Sequence, residues 1–313
     1  MKSIIPGIHH VTATVGESIP DLQFYTQTLG LRLVKKTVNF DNRQVYHFYY
    51  GDRLGNPGTI MTTFPYAGQK IREGVIGTGQ VGETVFSIPA GSASFWEHRL
   101  QQAGISVMRK VRFGQQELTV KDPSGLNITL TETDQDQREP WTTAEVEGTN
   151  AIRGIHSATL WVKDLAPTAE FLVDTFGWQL QGQEGDTHRF SAEESLPGKV
   201  VDVRTLPELD RGKNGLGTVH HLAFQVESDE AQLELRDNLL SRDFKVTEQK
   251  DRKYFRSIYF RMPGGVLFEV ATMDPGFPVD ETEAELGTAL KLPEWEEPLR
   301  PEIEAGLPEI APW

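Results

Sequence analysis

The sequence has no cysteine among its 313 residues. That absence excludes disulfide scaffolds, Cys-ligated zinc, iron–sulfur clusters and thiolate nucleophiles, and it fits a cytoplasmic protein. Positive charge is also short: 31 Lys and Arg against 45 Asp and Glu leave a net charge of −14, with no Lys/Arg-rich run. A nucleic-acid partner needs a basic face to neutralise phosphates, so none is expected. Long apolar runs are missing as well. No stretch approaches the roughly 20 residues that span a bilayer. The opening MKSIIPGIHHVTATV lacks the apolar core and small-residue cleavage site of a secretory signal. The expectation is a soluble, intracellular chain with no membrane partner. Its 38% apolar and 24% charged residues exclude a disordered or collagen-like chain, and its length suits about two domains.

What the chain does have is an internal repeat. Shifted by 147 positions, Gly7, Ile8 and His9 fall on Gly154, Ile155 and His156, and Thr12, Val15, Pro20 and Phe24 fall on Thr159, Val162, Pro167 and Phe171. Each copy reads as strand, helix, glycine stop and further strands, a βαβββ module. A weaker repeat relates 82–133 to 217–273: both open on an alternating strand (GETVFSIP, VHHLAFQV), continue with a helix (Ala93–Ala103, Glu230–Ser241) and close on a hairpin with a Pro–x–Gly turn. The predicted fold class is therefore α+β, with four modules at 6–66, 80–133, 152–206 and 217–273. By sequence they form an N-terminal half, 1–145, and a C-terminal half, 150–274. The tail, 275–313, holds ten acids against Lys291 and Arg300. Its spaced Leu, Ile and Trp residues predict a segment that wraps along the body.

Three polar residues interrupt otherwise apolar strands. His9–His10 lies in the first strand of module 1, His220–His221 in the first strand of module 4, and Glu269 in the closing strand of module 4. Strand alternation places His10 with Thr12 and Thr14, and His221 with Ala223 and Gln225, on the face that would line a cup. It sends His9 and His220 to the packed side. Two neutral imidazoles and a carboxylate that converge with positions left open make the facial triad of non-haem Fe(II) oxygenases. Any one of the three could equally be a hydrogen-bonded core His or a Glu paired with an Arg. The coincidence of all three at corresponding ends of repeated modules favours a metal. At the equivalent positions of the other two modules the alignment reads Ser157, Thr84 and Thr129, which make no usual metal triad, so the second cup is expected to be vacant. His47, in the aromatic run VYHFYY, reads as packing or hydrogen-bonding there, His98 as exposed on a helix, and His156 and His188 as unrelated to a metal.

Modules carrying HHVT, HHLAF and a PGGVLFE strand resemble the vicinal oxygen chelate superfamily, which spans glyoxalases, bleomycin resistance proteins and extradiol dioxygenases. Within it the chain is similar to the hydroquinone ring-cleaving dioxygenases over its whole length, including the tail LPEWEEPLRPEIEAGLP. In two-domain catechol enzymes all three ligands sit in the C-terminal half. Here the first His precedes the second by 211 residues, as in the hydroquinone branch. The resemblance implies two pseudo-symmetric cup-shaped barrels, module 1 paired with module 4 and module 2 with module 3. It implies Fe(II), with Mn(II) as the alternative, held by His10, His221 and Glu269. It also places Thr12, His9, His220, Arg252 and Tyr259 around a small aromatic substrate of hydroquinone type (1,4-dihydroxy), opened with O2. His220 and Tyr259 would serve as acid–base or hydrogen-bonding groups, and Arg252 would orient the second hydroxyl or stabilise negative charge. On the residues alone, Tyr259 reads as well as sheet packing and Arg252 as a solvated loop charge.

Three rivals remain at this level. A catechol extradiol dioxygenase would share the metal set. A glyoxalase-type isomerase or lyase would use the metal as a Lewis acid and consume no O2. A metal-free binding protein has no use for the intact ligand set. Strand edges leave a homo-oligomer open.

Overall fold

The computed structural model describes residues 3–66, 68–192 and 195–310. Four βαβββ units follow one another. The first contains β1 (Ile8–Val15), α1 (Ser18–Leu22, continued by a π-helical stretch Gln23–Thr28), β2 (Arg32–Asn39), β3 (Asn42–Gly51) and β4 (Ile60–Pro65). The second contains β5 (Gln80–Pro89), α2 (Ala93–Gln102), β6 (Met108–Arg112), β7 (Gln115–Lys121) and β8 (Asn127–Thr133). The third contains β9 (Gly154–Val162), α3 (Ala166–Asp174), β10 (Gln179–Glu184), β11 (Thr187–Ser191) and β12 (Val200–Thr205). The fourth contains β13 (Thr218–Val226), α4 (Asp229–Ser241), β14 (Lys250–Asp251), β15 (Arg256–Arg261) and β16 (Leu267–Thr272).

These strands make two curled sheets of eight. One runs β14-β15-β16-β13-β1-β4-β3-β2, the other β10-β11-β12-β9-β5-β8-β7-β6. Module 1 is thus joined to module 4, and module 2 to module 3, as the resemblance implies. The junction is antiparallel in both sheets, β1 against β13 and β5 against β9, while the next pairs outward, β1–β4 and β13–β16, are parallel.

Period-two patterning decides which face is which. Val11, Ala13 and Val15 of β1, and Leu222, Phe224 and Val226 of β13, enter one apolar core with Phe86, Leu160, Trp96 and Trp178. The helices cover this face, α4 lying over β13, β15 and β16. The polar alternates are left to the concave face. Gly30 ends the first helix at φ +71, a conformation that suits glycine at a helix C-terminus.

After β16 the chain makes short 3-10 turns and then α5 (Arg300–Gly306) against module 1. Leu292 and Ile303 pack on Val38, and Leu286 joins Val34 and Phe277. Lys35, fully buried, places its ammonium 2.6 Å from Asp280 and against Glu281. Among the described residues no helix is long and apolar enough to cross a membrane.

Candidate metal centre

Both His pairs lie at β-bulges. Ile8 pairs with Phe224 and His10 with Ala223, so His9 is the extra residue of β1. Thr12 pairs with His221 and Ala13 with Val219, so His220 is the extra residue of β13. A bulge breaks strict alternation and re-aims a side chain. In each pair the two rings touch edge to face, with centroids 5.0 Å apart. The separation onto opposite faces expected from alternation is corrected for His220, which lines the same cavity as His221; His9, as expected, is off that cavity, behind His10 in a different hollow beside Phe255.

The bulges also bring the two rings of each pair together through Nδ1. His9 Nδ1 stands 2.9 Å from His10 Nδ1, and His220 Nδ1 stands 2.7 Å from His221 Nδ1. When the inner ring donates from Nδ1 to its outer neighbour, its Nε2 is left without a proton. The lone pair of His10 is then on Nε2. Burial first, then the neighbouring imidazole, pushes both outer histidines down to about 3, which keeps them neutral.

The inner atoms converge. His221 Nε2 lies 2.7 Å from Glu269 Oε2, His10 Nε2 lies 3.4 Å from the same oxygen, and the two Nε2 atoms are 3.3 Å apart. All three residues are buried. Glu269 Oε1 accepts from Ser257, whereas Oε2 is buried with no hydrogen bond. Burial alone would raise the Glu269 carboxyl, but positive charge on the two facing rings outweighs it and holds it well below the usual range; with the rings neutral, that charge is missing. Lone pairs so close repel unless a cation sits among them. Facial donors roughly 2.1 Å from an octahedral metal stand about 3 Å apart, which is the spacing found. The residues present fit a divalent metal.

Above them opens a cavity of about 230 Å³, walled by Tyr49, Phe64, Phe255, His47 and His220, with Arg252 and Tyr259 on one side and Asn39 to Asn42 at the mouth. A dry space of roughly 150 Å³ admits benzene, so one substituted aromatic ring has room. Arg252 Nε donates to the Tyr259 hydroxyl at 3.0 Å, and its Nη2 lies 3.1 Å from Asp41. Thr12 does not line the cavity. It sits below, accepting a hydrogen bond from Thr62 at 2.9 Å, and Thr62 contacts His47 Nε2 at 2.8 Å. His47, read from the sequence as packing or hydrogen-bonding in its strand, is a cavity residue, and so is Tyr49, which sequence reasoning did not single out. The available signal was that Tyr49 holds, in module 1, the place that Tyr259 holds in module 4.

The second cup supplies an internal contrast. Val85 pairs with Ser157 and with Thr129, and Glu83 pairs with Thr159. Matched to the first cup, the counterparts of His10, His221 and Glu269 are Ser157, Glu83 and Thr129. Thr84, expected there from the alignment, is one residue off: the pairing puts Glu83 at the place of His221, with the bulge at Gly82 matching the bulge at His220. Glu83 receives Arg112 and Lys110, each at 2.7 Å, and Arg112 lies 3.1 Å from Glu117. Burial opposes ionisation of Glu83, yet these cations pull its carboxyl down to about 2. A guanidinium takes the place that a metal would have. His98 is exposed, and His156 is buried behind Ser157.

Among known proteins, the profile of the Glyoxalase/Bleomycin resistance protein/Dioxygenase superfamily matches residues 154–270. The chain is 44% identical over 301 residues, 96% of its own length and 95% of the relative's, to the "Putative ring-cleaving dioxygenase MhqO" of Bacillus subtilis (strain 168). It is 37% identical to the chlorohydroquinone/hydroquinone 1,2-dioxygenase of Sphingobium indicum, covering 92% of this chain and 91% of that one. A crystal structure described as a "putative dioxygenase from Bacillus subtilis subsp. subtilis str. 168" superposes with TM-score 0.94 at 43% identity, over 99% and 98% of the two chains. Glyoxalase I from Zea mays shares the fold, with TM-score 0.62 at 13% identity over 85% and 92%. The chain belongs to the glyoxalase/bleomycin resistance protein/dioxygenase superfamily and, within it, to the family of the ring-cleaving dioxygenases.

Proposed function

We propose that this protein is an Fe(II)-dependent dioxygenase that opens hydroquinone-type rings with O2, with His10, His221 and Glu269 as the metal ligands. When bound, a redox-active metal supplies the electron path between ring and O2 and favours ionisation of the ring hydroxyl it meets. The observation that carries the reading is the fourth position. In the repeat, Thr12 stands where Ala223 does, and Thr62 pairs with Thr12 as Glu269 pairs with Ala223. The counterpart of Glu269 in module 1 is thus Thr62, a hydroxyl already engaged with Thr12 and His47. Three ligands and, among the described residues, no fourth would leave adjacent places for two small ligands, which an oxygenase needs and a Lewis-acid isomerase does not.

The remaining residues divide the work. Phe64, Tyr49 and Phe255 hold the ring by its faces and exclude water. His9 and His220 orient the ligand imidazoles through their Nδ1 atoms, and His220 also faces the substrate. Tyr259, whose proton burial and Glu269 hold on the oxygen, donates to oxygen bound in the cavity, and Arg252 offsets negative charge that develops there. The activity for which the Sphingobium relative is named supports the substrate class. The test is anaerobic loading with iron followed by oxygen-electrode traces with hydroquinone, methylhydroquinone and catechol. Uptake is expected with the hydroquinones and not in His221→Ala. Thr62→Glu should retain metal yet lose uptake at least tenfold, because a fourth carboxylate closes the site. Iron-loaded protein that takes up no oxygen with any ring would contradict the proposal.

A further inference from the structure

His47 is a cavity residue with a defined tautomer. Thr62 has one hydroxyl proton and donates it to Thr12. The 2.8 Å contact between Thr62 and His47 Nε2 therefore requires His47 to donate from Nε2. The neutral ring then carries its lone pair on Nδ1. Tyr49 and Phe64 hold the ring from two sides, with centroids 4.0 and 4.3 Å away, so it cannot swing to another partner. Burial, reinforced by His10, His221 and Arg252, keeps it well below its ordinary pKa. With its one N–H spent on Thr62, the ring has only an acceptor, Nδ1, left to offer.

Its placement matters as much as its protonation. β3 and β15 lie in corresponding places, each two strands out from the central β1–β13 pair and on opposite sides of it. Arg252 and Tyr259 stand on the β15 wall, His47 on the β3 wall, and the candidate metal ligands between them. At the mouth, the Asp41 carboxylate is already committed to Arg252 at 3.1 Å and approached by Lys250 at 3.8 Å. A ring with two hydroxyls brings one of them to the metal end and must find an acceptor for the O–H of the other, since a buried donor left unpaired is costly.

We infer that His47 is a substrate-positioning residue whose Nδ1 accepts the O–H of the ring hydroxyl remote from the metal end, and so selects diols over rings with one free hydroxyl. The inference rests on the ring-cleaving reading for its substrate class. It is tested by binding, without oxygen, on the iron-loaded enzyme. Hydroquinone and p-methoxyphenol, which has the remote hydroxyl capped, are titrated by calorimetry into wild type, His47→Phe and Thr62→Val, each checked for folding by thermal melting. Wild type should prefer hydroquinone. His47→Phe should weaken hydroquinone about tenfold and leave p-methoxyphenol unchanged, whereas a purely structural defect would weaken both. Thr62→Val removes the group that fixes the tautomer and should reduce the preference without abolishing binding. It decides the matter should His47→Phe not fold. Equal loss of both ligands, an unchanged preference in the variants, or no preference in wild type would overturn the inference. Oxygen uptake by wild type separates the two readings. Uptake with a preference that survives in His47→Phe defeats only the role of His47. A His47-dependent preference without uptake defeats only ring cleavage.

Discussion

At the scale of single residues, burial decides protonation. Asp21 illustrates this away from the candidate site. The hydroxyls of Tyr50 and Thr63 both donate to its Oδ2 at 2.6 Å. Burial nevertheless wins over these bonds and lifts the carboxyl from 3.8 to about 7. A carboxyl with a raised folded pKa binds more protons folded than unfolded, so it withdraws stability as pH rises from 3.8 to about 7. Asp21→Asn keeps an acceptor for both hydroxyls and has no proton to lose. Relative to wild type it should gain stability steadily across that window, by at most ~1.4 kcal/mol per pH unit. Denaturant titrations across the window measure this, and a pH-independent difference would contradict it. His9 and His220 belong to the same scale. Their residue type was legible in the sequence, but their orientation was not, because a bulge is a matter of pairing between strands remote in sequence.

At the scale of elements, the repeat explains why one cup suits a metal and the other does not. The same strand positions carry His10, His221 and Glu269 in the first sheet, and Ser157, Glu83 and Thr129 in the second. In the second cup the Glu83 and Glu117 carboxylates face Arg112, which is 12% exposed. Removing one partner of a buried ion cluster strands the others. Arg112→Met should therefore destabilise the protein by about 3 kcal/mol while iron stoichiometry stays unchanged, because the first cup is a separate sheet. Urea denaturation and metal analysis check the two halves of that statement, and loss of iron with unchanged stability would refute it. The sequence made the modules readable through HHVT against HHLA and the paired Pro–x–Gly turns. It misaligned module 2 by one residue by setting Gly82 on Val219; the pairing sets Glu83 on His221, which keeps the alternation by matching Phe86 to Phe224 and Ile88 to Val226.

At the scale of the whole molecule, the chain builds one sheet from its first and last modules and the other from the two between them. β1 and β13 are distant in sequence yet adjacent in the sheet, and the cavity exists only where modules 1 and 4 meet. The three residues nominated as ligands were legible because His and Glu are conspicuous in apolar strands. The aromatic walls were not, because Tyr49, Phe64 and Phe255 look like any core residues until curvature sets which face is concave. The acidic tail, which in composition resembles a disordered segment, is ordered by burying Leu286, Leu292 and Ile303 and by the ion pairs at Lys35. It borders the cavity mouth, where Trp295 meets Phe40 edge to face. Sheet pairing, tail and cavity serve one claim, that a three-ligand metal site opens an aromatic ring with both atoms of O2. The most direct measurement is mass spectrometry of the product formed from hydroquinone under heavy-isotope dioxygen, quenched before its oxygens exchange with water. The account predicts a ring-opened product carrying both heavy oxygen atoms. An intact ring, or a product with no heavy oxygen, would contradict it.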